Sequence, residues 1–233
     1  MKLQISASLM CANPLNAGAE LDILTRHGAE FLHCDIMDGM FVPNLMLSTE
    51  FVNAVSRAYE TPLDIHLMVE QPERVIPWFN LRPGDMVSIH YESTPHVQRA
   101  LSMVRERGAR PVLAINPATP LECAREVLPD IEMLLLMTVN PGFAAQKLIP
   151  ETLNKIRRAR TMLDELGYSD MPIEVDGNCS LANIPKMAAM GASVFVVGSS
   201  SVFDKKLGVE KGVQAVREAF AACEADAAPR ANS

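Results

Sequence analysis

Short β-like runs alternate with amphipathic helical stretches along the whole chain. The runs fall at 3–8, 31–35, 63–68, 86–90, 110–115, 133–139, 173–175 and 194–197, and the helical stretches at 16–27, 48–59, 72–79, 95–107, 121–127, 151–166, 181–190 and 209–225. Some helices open on a start signal, Ser48 before Thr49 or Pro150 before Glu151, and several close at glycine, as at Gly28, Gly108, Gly167 and Gly191. Eight strands, each followed by a helix within 233 residues, is the arithmetic of an α/β fold, the (β/α)8 or TIM barrel. A doubly wound open sheet would use fewer strands and place a Gly-rich phosphate turn after the first, where this chain reads ASLMCANP. No tandem repeat, low-complexity tract or linker marks a second domain. The expectation is a single barrel domain over 1–225 and a small, polar, disordered tail over 226–233.

At 48% hydrophobic residues the chain can bury one sizeable core. A formal net charge of −7, no basic run and only 5% aromatic residues argue against a nucleic-acid surface. The opening MKLQISASLM lacks the apolar core of a signal peptide, and the longest apolar run, around 133–139, is too short to span a membrane. Five scattered cysteines without a CxxC pair fit reduced thiols in a cytoplasmic protein better than a disulfide framework.

The chemistry concentrates where barrel enzymes keep it, at the C-terminal strand ends. The second run reads HCDIMDG, so His33, Asp35 and Met37 share one face of a buried strand. A buried carboxylate must be compensated, either by an internal His–Asp hydrogen bond or by a cation. Ser8 ends the first run, His66 lies in the third, His90 ends the fourth, Asn116 and Asn140 follow the fifth and sixth, and Asp176 follows the seventh. If the barrel closes, His33, Asp35, His66 and Asp176 converge, and a mixed His/Asp set suits a divalent ion such as Zn²⁺, Mn²⁺, Fe²⁺ or Co²⁺.

Blander roles fit other polar residues. His90 reads as a satisfied core histidine, and His27 and His96 as solvated helix residues. Asp64 and Glu174 read as internal partners one layer deeper, and Asp38 as a turn residue. Met37, Met68 and Met137 sit at strand ends, where they could be core filler or an apolar collar around an ion. After the eighth run, Gly198-Ser199-Ser200 offers main-chain N–H groups and hydroxyls to a phosphate.

HCDIMDGMFVPN, DIHLMV, MTVNPGFAAQ, EVDGNCS and VVGSSSVF occur in order, and together this chain resembles the ribulose-phosphate 3-epimerase family from near residue 3 to about 220. The resemblance implies a ribulose-phosphate-binding (β/α)8 barrel that inverts C3 of a ketose phosphate through an enediolate stabilised by one divalent metal ion (Zn, Mn, Fe, Co or Mg). It implies His33, Asp35, His66 and Asp176 as metal ligands, and Asp35 and Asp176 as the paired catalytic acid and base. Ser8, His66, Gly142, Phe143, Ala144, Ala145, Gly177, Asn178, Gly198, Ser199 and Ser200 would bind substrate, with Gly177, Gly198 and Ser199 cradling the phosphate. The implied partner is a sugar phosphate, with no nucleic acid or membrane, and a homo-oligomer is compatible with it.

Two barrel chemistries fit poorly. An orotidine-monophosphate decarboxylase would need a lysine where Met37 stands, and a Schiff-base aldolase would need a strand lysine. A non-catalytic sugar-phosphate-binding barrel is the alternative of a different class. Within the family, pentose-phosphate members typically carry a double glycine after the strand-seven aspartate. Here the stretch is Asp176-Gly177-Asn178-Cys179-Ser180, and with SLMC, MTV and GFAA it resembles the D-allulose-6-phosphate 3-epimerase branch more than the D-ribulose-5-phosphate branch.

Overall fold

The computed structural model describes residues 1–227. Eight parallel strands form the wall: β1 (Gln4–Ser8), β2 (Phe31–Asp38), β4 (Leu63–Met68), β5 (Met86–His90), β6 (Arg110–Ile115), β7 (Met133–Met137), β8 (Ile173–Asp176) and β9 (Val194–Val197). They pair in the order β1-β9-β8-β7-β6-β5-β4-β2, and β2 pairs back onto β1, with Ser8 opposite His33, so the sheet is a closed barrel. The two-residue β3 (Leu45–Met46) folds back antiparallel on the end of β2.

Among the described residues six α-helices lie between or after the strands: α1 (Ala17–Arg26), α2 (Thr49–Ala58), α3 (Val97–Glu106), α4 (Glu151–Glu165), α5 (Ile184–Ala189) and α6 (Val209–Ala227). Ser48 caps α2 as its sequence position suggests, its hydroxyl accepting the Phe51 N–H at 3.2 Å. The stretch expected as a helix at 72–79 is instead two 3-10 turns, Pro72–Arg74 and Ile76–Trp78. Pro72 and Pro77 lack the N–H that a continuous helix needs. The segment Leu121–Asp130 is likewise a 3-10 helix, ending at Pro129, and α5 starts later than the expected 181. Asp226, expected in the tail, belongs to α6, whereas 228–233 lie outside the described residues. Among the described residues no helix is long and apolar enough to cross a membrane.

Strand residues alternate between two environments. Leu32, Cys34, Ile36, Leu113, Ile115, Leu134 and Leu136 pack outward into the main core beneath the helices. The lumen is divided. Val112 and Ala114 of β6 and Met133, Leu135 and Met137 of β7 form an apolar wall with Phe31, Met86 and Val194. Facing it are buried polar side chains from β8, β1, β2, β4 and β5: Glu174, Ser6, Ser8, His33, Asp35, Asp64, His66, Ser88 and His90. Burying so many polar groups is tolerable only if they satisfy one another or a ligand.

One buried cation stiffens the upper rim. Lys155 of α4 is 3% exposed, and its ammonium donates to the carbonyls of Asn116, Pro117 and Thr119 at 2.6, 3.2 and 2.7 Å. Lys155→Met would leave these carbonyls short of a donor. It is expected to lower unfolding free energy by about 2–4 kcal/mol, measurable by urea denaturation. A loss below about 0.5 kcal/mol would mean that water replaces the ammonium without cost.

Candidate active site

The barrel register builds the site. Asp35 lies opposite His66 across β2–β4, His33 opposite Asp64, and Asp176 opposite Met137 across β7–β8. His33 Nε2 is 3.2 Å from Asp35 Oδ1 and 4.0 Å from Asp176 Oδ2. His66 Nδ1 is 3.3 Å from Asp35 Oδ1 and 3.6 Å from Asp176 Oδ2. Ligand atoms of His33, Asp35, His66 and Asp176 all lie within 4.8 Å of one another. The two imidazoles thus offer different nitrogens to one point. Two nitrogens and two carboxylates so arranged could hold a divalent cation.

Deeper groups orient His33. Its Nδ1 meets Asp64 Oδ2 at 2.6 Å, and that oxygen also accepts the Ser6 hydroxyl at 2.7 Å. The Nδ1 proton therefore belongs toward Asp64, leaving Nε2 for the upper cluster. Asp64 and Glu174 are internal partners, as their position one layer down suggests. Burial, then the neighbouring Asp64 charge, pushes the Glu174 carboxyl well above its ordinary range. In that neutral form it can share its proton with Asp64, whose Oδ1 has no other partner.

The two upper carboxyls are driven apart. Burial opposes ionisation of Asp35, but the His33 charge and the hydrogen bond from His33 outweigh it and hold the group well below its ordinary value. Burial, followed by the Asp35 charge, pushes Asp176 up to about 7. Burial also disfavours a charged His33, yet Asp64 and Asp35 more than offset this and raise its pKa well above the ordinary value.

A cleft opens above the cluster, lined by both carboxylates. Met37, Met68 and Met137 line it together. Ser8 also lines it, its hydroxyl donating to Asp35 Oδ2 at 3.1 Å. Gly142, Phe143, Ala144 and Ala145 form one rim, and Gly177, Asn178, Gly198, Ser199 and Ser200 the other. His33 and His66 are fully buried behind the carboxylates and do not line the cleft, so His66 is placed as a cluster member rather than at the cleft wall.

Gly177 has φ 124°, and a Cβ there would come within 2.8 Å of Val139, so this turn requires glycine. Asn178 follows in the left-handed region at φ 52°. Its amide donates to the Gln146 carbonyl at 2.5 Å, while its side-chain oxygen accepts from Asn183 at 2.9 Å. Asn44 holds the same rim from the other side, donating to the Gly142 carbonyl at 2.7 Å.

The remaining polar candidates have structural partners. Asp38 Oδ1 accepts the N–H groups of Met40 and Phe41, and Oδ2 that of Glu70, so it is a turn residue. His27 caps α1 and pairs with Glu210 at 3.2 Å, whereas His96 is exposed at the start of α3. His90 is fully buried with both ring nitrogens partnered. Met10, Cys11, Val139 and Gln146 also line the cleft; they fall within the SLMC and MTVNPGFAAQ stretches, which do not by themselves single them out as site residues.

Residues 4–203 match the Ribulose-phosphate 3 epimerase family. The chain is 38% identical over 198 residues to "Ribulose-phosphate 3-epimerase" of Bacillus subtilis (strain 168), covering 85% of this chain and 91% of that protein. It is 37% identical over 202 residues to the protein of the same name from Escherichia coli (strain K12), covering 86% and 89%. Among solved structures, KGPDC from Streptococcus mutans superposes with a TM-score of 0.70 at 12% identity, over 96% of this chain and 99% of that one. The 3-hexulose-6-phosphate synthase from Salmonella typhimurium gives 0.68 at 15% identity, over 96% and 100%; these two likenesses concern the fold. By the extent of the family match and the identity to its curated relatives, this chain belongs to the ribulose-phosphate 3-epimerase family.

Proposed function

We propose that this protein inverts C3 of a ketose phosphate, and that its favoured substrate is D-allulose 6-phosphate, giving D-fructose 6-phosphate. The observation that carries the reaction is the pair Asp35 and Asp176. Both carboxyls line one cleft beneath its methionine collar, and their environments hold one ionised while raising the other to about 7. Inversion needs a proton removed from one face of a planar intermediate and another delivered to the opposite face. Two carboxyls converging on one cleft from β2 and β8, each able to take a proton or give one, suit that exchange. In one direction Asp35 takes the C3 proton and Asp176 gives one; in the other the roles reverse. Ser8 fixes Asp35 through its hydroxyl, and the methionine collar keeps water from the carbon being deprotonated.

His33, Asp35, His66 and Asp176 would hold one divalent ion, and their mixed nitrogen and oxygen donors fit Zn, Mn, Fe, Co or Mg. Such an ion supplies a Lewis acid beside the ketose oxygens, offsetting the weak acidity of the C3 proton. Loading it requires a neutral His33 and an ionised Asp176, and in the ion-free protein protons compete at both groups. Raising pH removes those protons, so affinity is expected to rise through about pH 7, with about two protons released per ion at pH 6. Calorimetry in buffers of differing ionisation enthalpy measures the release, and an affinity flat between about pH 5.5 and 8 would contradict it.

The hexose preference rests on the rim. Asn178 stands where pentose-phosphate members typically carry a second glycine, and it ties the β8 loop to Gln146 and Asn183. A hexose phosphate places one more carbon between C3 and the phosphate, so the anion-binding turn at Gly177, Gly198, Ser199 and Ser200 must sit differently. The names of the Bacillus subtilis and Escherichia coli relatives favour a second reading, D-ribulose 5-phosphate to D-xylulose 5-phosphate. The expected result is a higher kcat/KM for D-allulose 6-phosphate than for D-ribulose 5-phosphate in parallel coupled assays, and a ratio favouring the pentose would select the second reading. We also place the protein in the cytoplasm, on the support of five cysteines that are all free.

A further inference from the structure

His66 can serve a cation through Nδ1 only if that nitrogen carries no proton, and its surroundings contain a device that decides this. His66 Nε2 lies 2.8 Å from His90 Nε2, with the rings stacked at a 24° interplanar angle. One proton lies between those nitrogens, and either ring could own it. Farther out, His90 Nδ1 is 3.2 Å from Glu92 Oε2. Glu92 Oε1 accepts the Asn116 N–H at 2.9 Å and the Thr119 hydroxyl. A carboxylate surrounded by three donor positions is an acceptor, so the His90 Nδ1 carries its hydrogen toward Glu92. His90 Nε2 is then a bare acceptor, the shared proton belongs to His66 Nε2, and His66 Nδ1 faces Asp35 and Asp176 with its lone pair free.

We propose that His90 and Glu92 are positioning residues that set the His66 tautomer and so prepare Nδ1 as a ligand. The inference rests on the cation reading of the cluster but adds two residues outside it. Further support lies along the chain of contacts. The segment that delivers the Asn116 and Thr119 donors is itself held by the Lys155 ammonium, which takes the carbonyls of those same two residues. Phe41 packs on the His90 ring at 4.8 Å between centroids, which walls the imidazole pair from the loop after β2. The His33 side is oriented by a single carboxylate, whereas the His66 side uses an imidazole and then a carboxylate. Because Asp64 meets His33 at Nδ1 and His90 meets His66 at Nε2, the two histidines present opposite nitrogens to the cluster.

The test reads both tautomer and affinity. Long-range ¹H–¹⁵N correlation spectra of metal-free wild-type protein should show His66 protonated at Nε2 and bare at Nδ1; the reverse tautomer would overturn the proposal. Affinity for Zn²⁺, measured against a competing chelator, should fall about 10–100-fold in His90→Phe and in Glu92→Gln. His90→Gln, whose side-chain oxygen can still accept from His66, should recover part of that loss. Wild-type affinity in both His90→Phe and Glu92→Gln would also overturn it. If His90→Phe does not fold, Glu92→Gln and the wild-type spectra carry the test. A wild-type protein that binds no divalent ion would remove the cation reading, and the tautomer would still decide whether the relay exists.

Discussion

Asp35→Asn and Asp176→Asn are each expected to lower turnover by about 10²–10⁴-fold, the range for a positioned proton-transfer group. The amide keeps the shape of the carboxyl and can retain the hydrogen bond from Ser8 to residue 35, so the loss falls on chemistry more than folding. Because each carboxyl acts as base in one direction and acid in the other, both directions of the epimerisation should fall together. Both residues also belong to the four-group cluster, so bound metal must be quantified beside the rate. A variant that keeps near-normal turnover with metal bound would remove the two-carboxyl scheme.

Exhaustive chelation should abolish activity, and adding back one transition-metal dication should restore it. The reason is electrostatic. His33, Asp35, His66, Asp64, Glu174 and Asp176 crowd a lumen whose opposite wall is apolar, and a proton α to a ketone is too weakly acidic for a carboxylate alone. Elemental analysis of the active protein identifies the ion. Full turnover in protein shown to be metal-free would contradict the cluster's proposed role while leaving the fold intact.

Much of the barrel is readable from local pattern because its strands are short, β-branched- and apolar-rich runs bounded by turns. The runs at 63–68, 86–90, 110–115 and 194–197 coincide with β4, β5, β6 and β9. Where the reading fails, a local competitor wins. Pro72 and Pro77 break an amphipathic stretch into 3-10 turns, and β2 continues past Asp35 because β4 pairs with Ile36 and Met37 and the folded-back β3 with Met37 and Asp38. The convergence of His33, Asp35, His66 and Asp176 follows from strand ends once the barrel is assumed, since register alone brings Asp35 beside His66. The contacts that refine the site have no such signature. His90 reads as a core histidine, and it is one, but it meets His66 across β4–β5 although register sets His66 opposite Ser88, two residues earlier. Asn44 and Asn178 reach the Gly142–Gln146 rim from loops far apart in sequence, and nothing in a linear pattern marks that meeting.

The most direct measurement of the proposed chemistry is turnover in D₂O followed by NMR. Metal-loaded protein is given D-allulose 6-phosphate and, separately, D-ribulose 5-phosphate. The C3 epimer of at least one is expected to appear with deuterium at C3, because the proton taken by one carboxyl is not the one returned by the other. A sugar phosphate that binds yet shows neither epimer nor deuterium at C3 would make this barrel a binding protein and contradict the account.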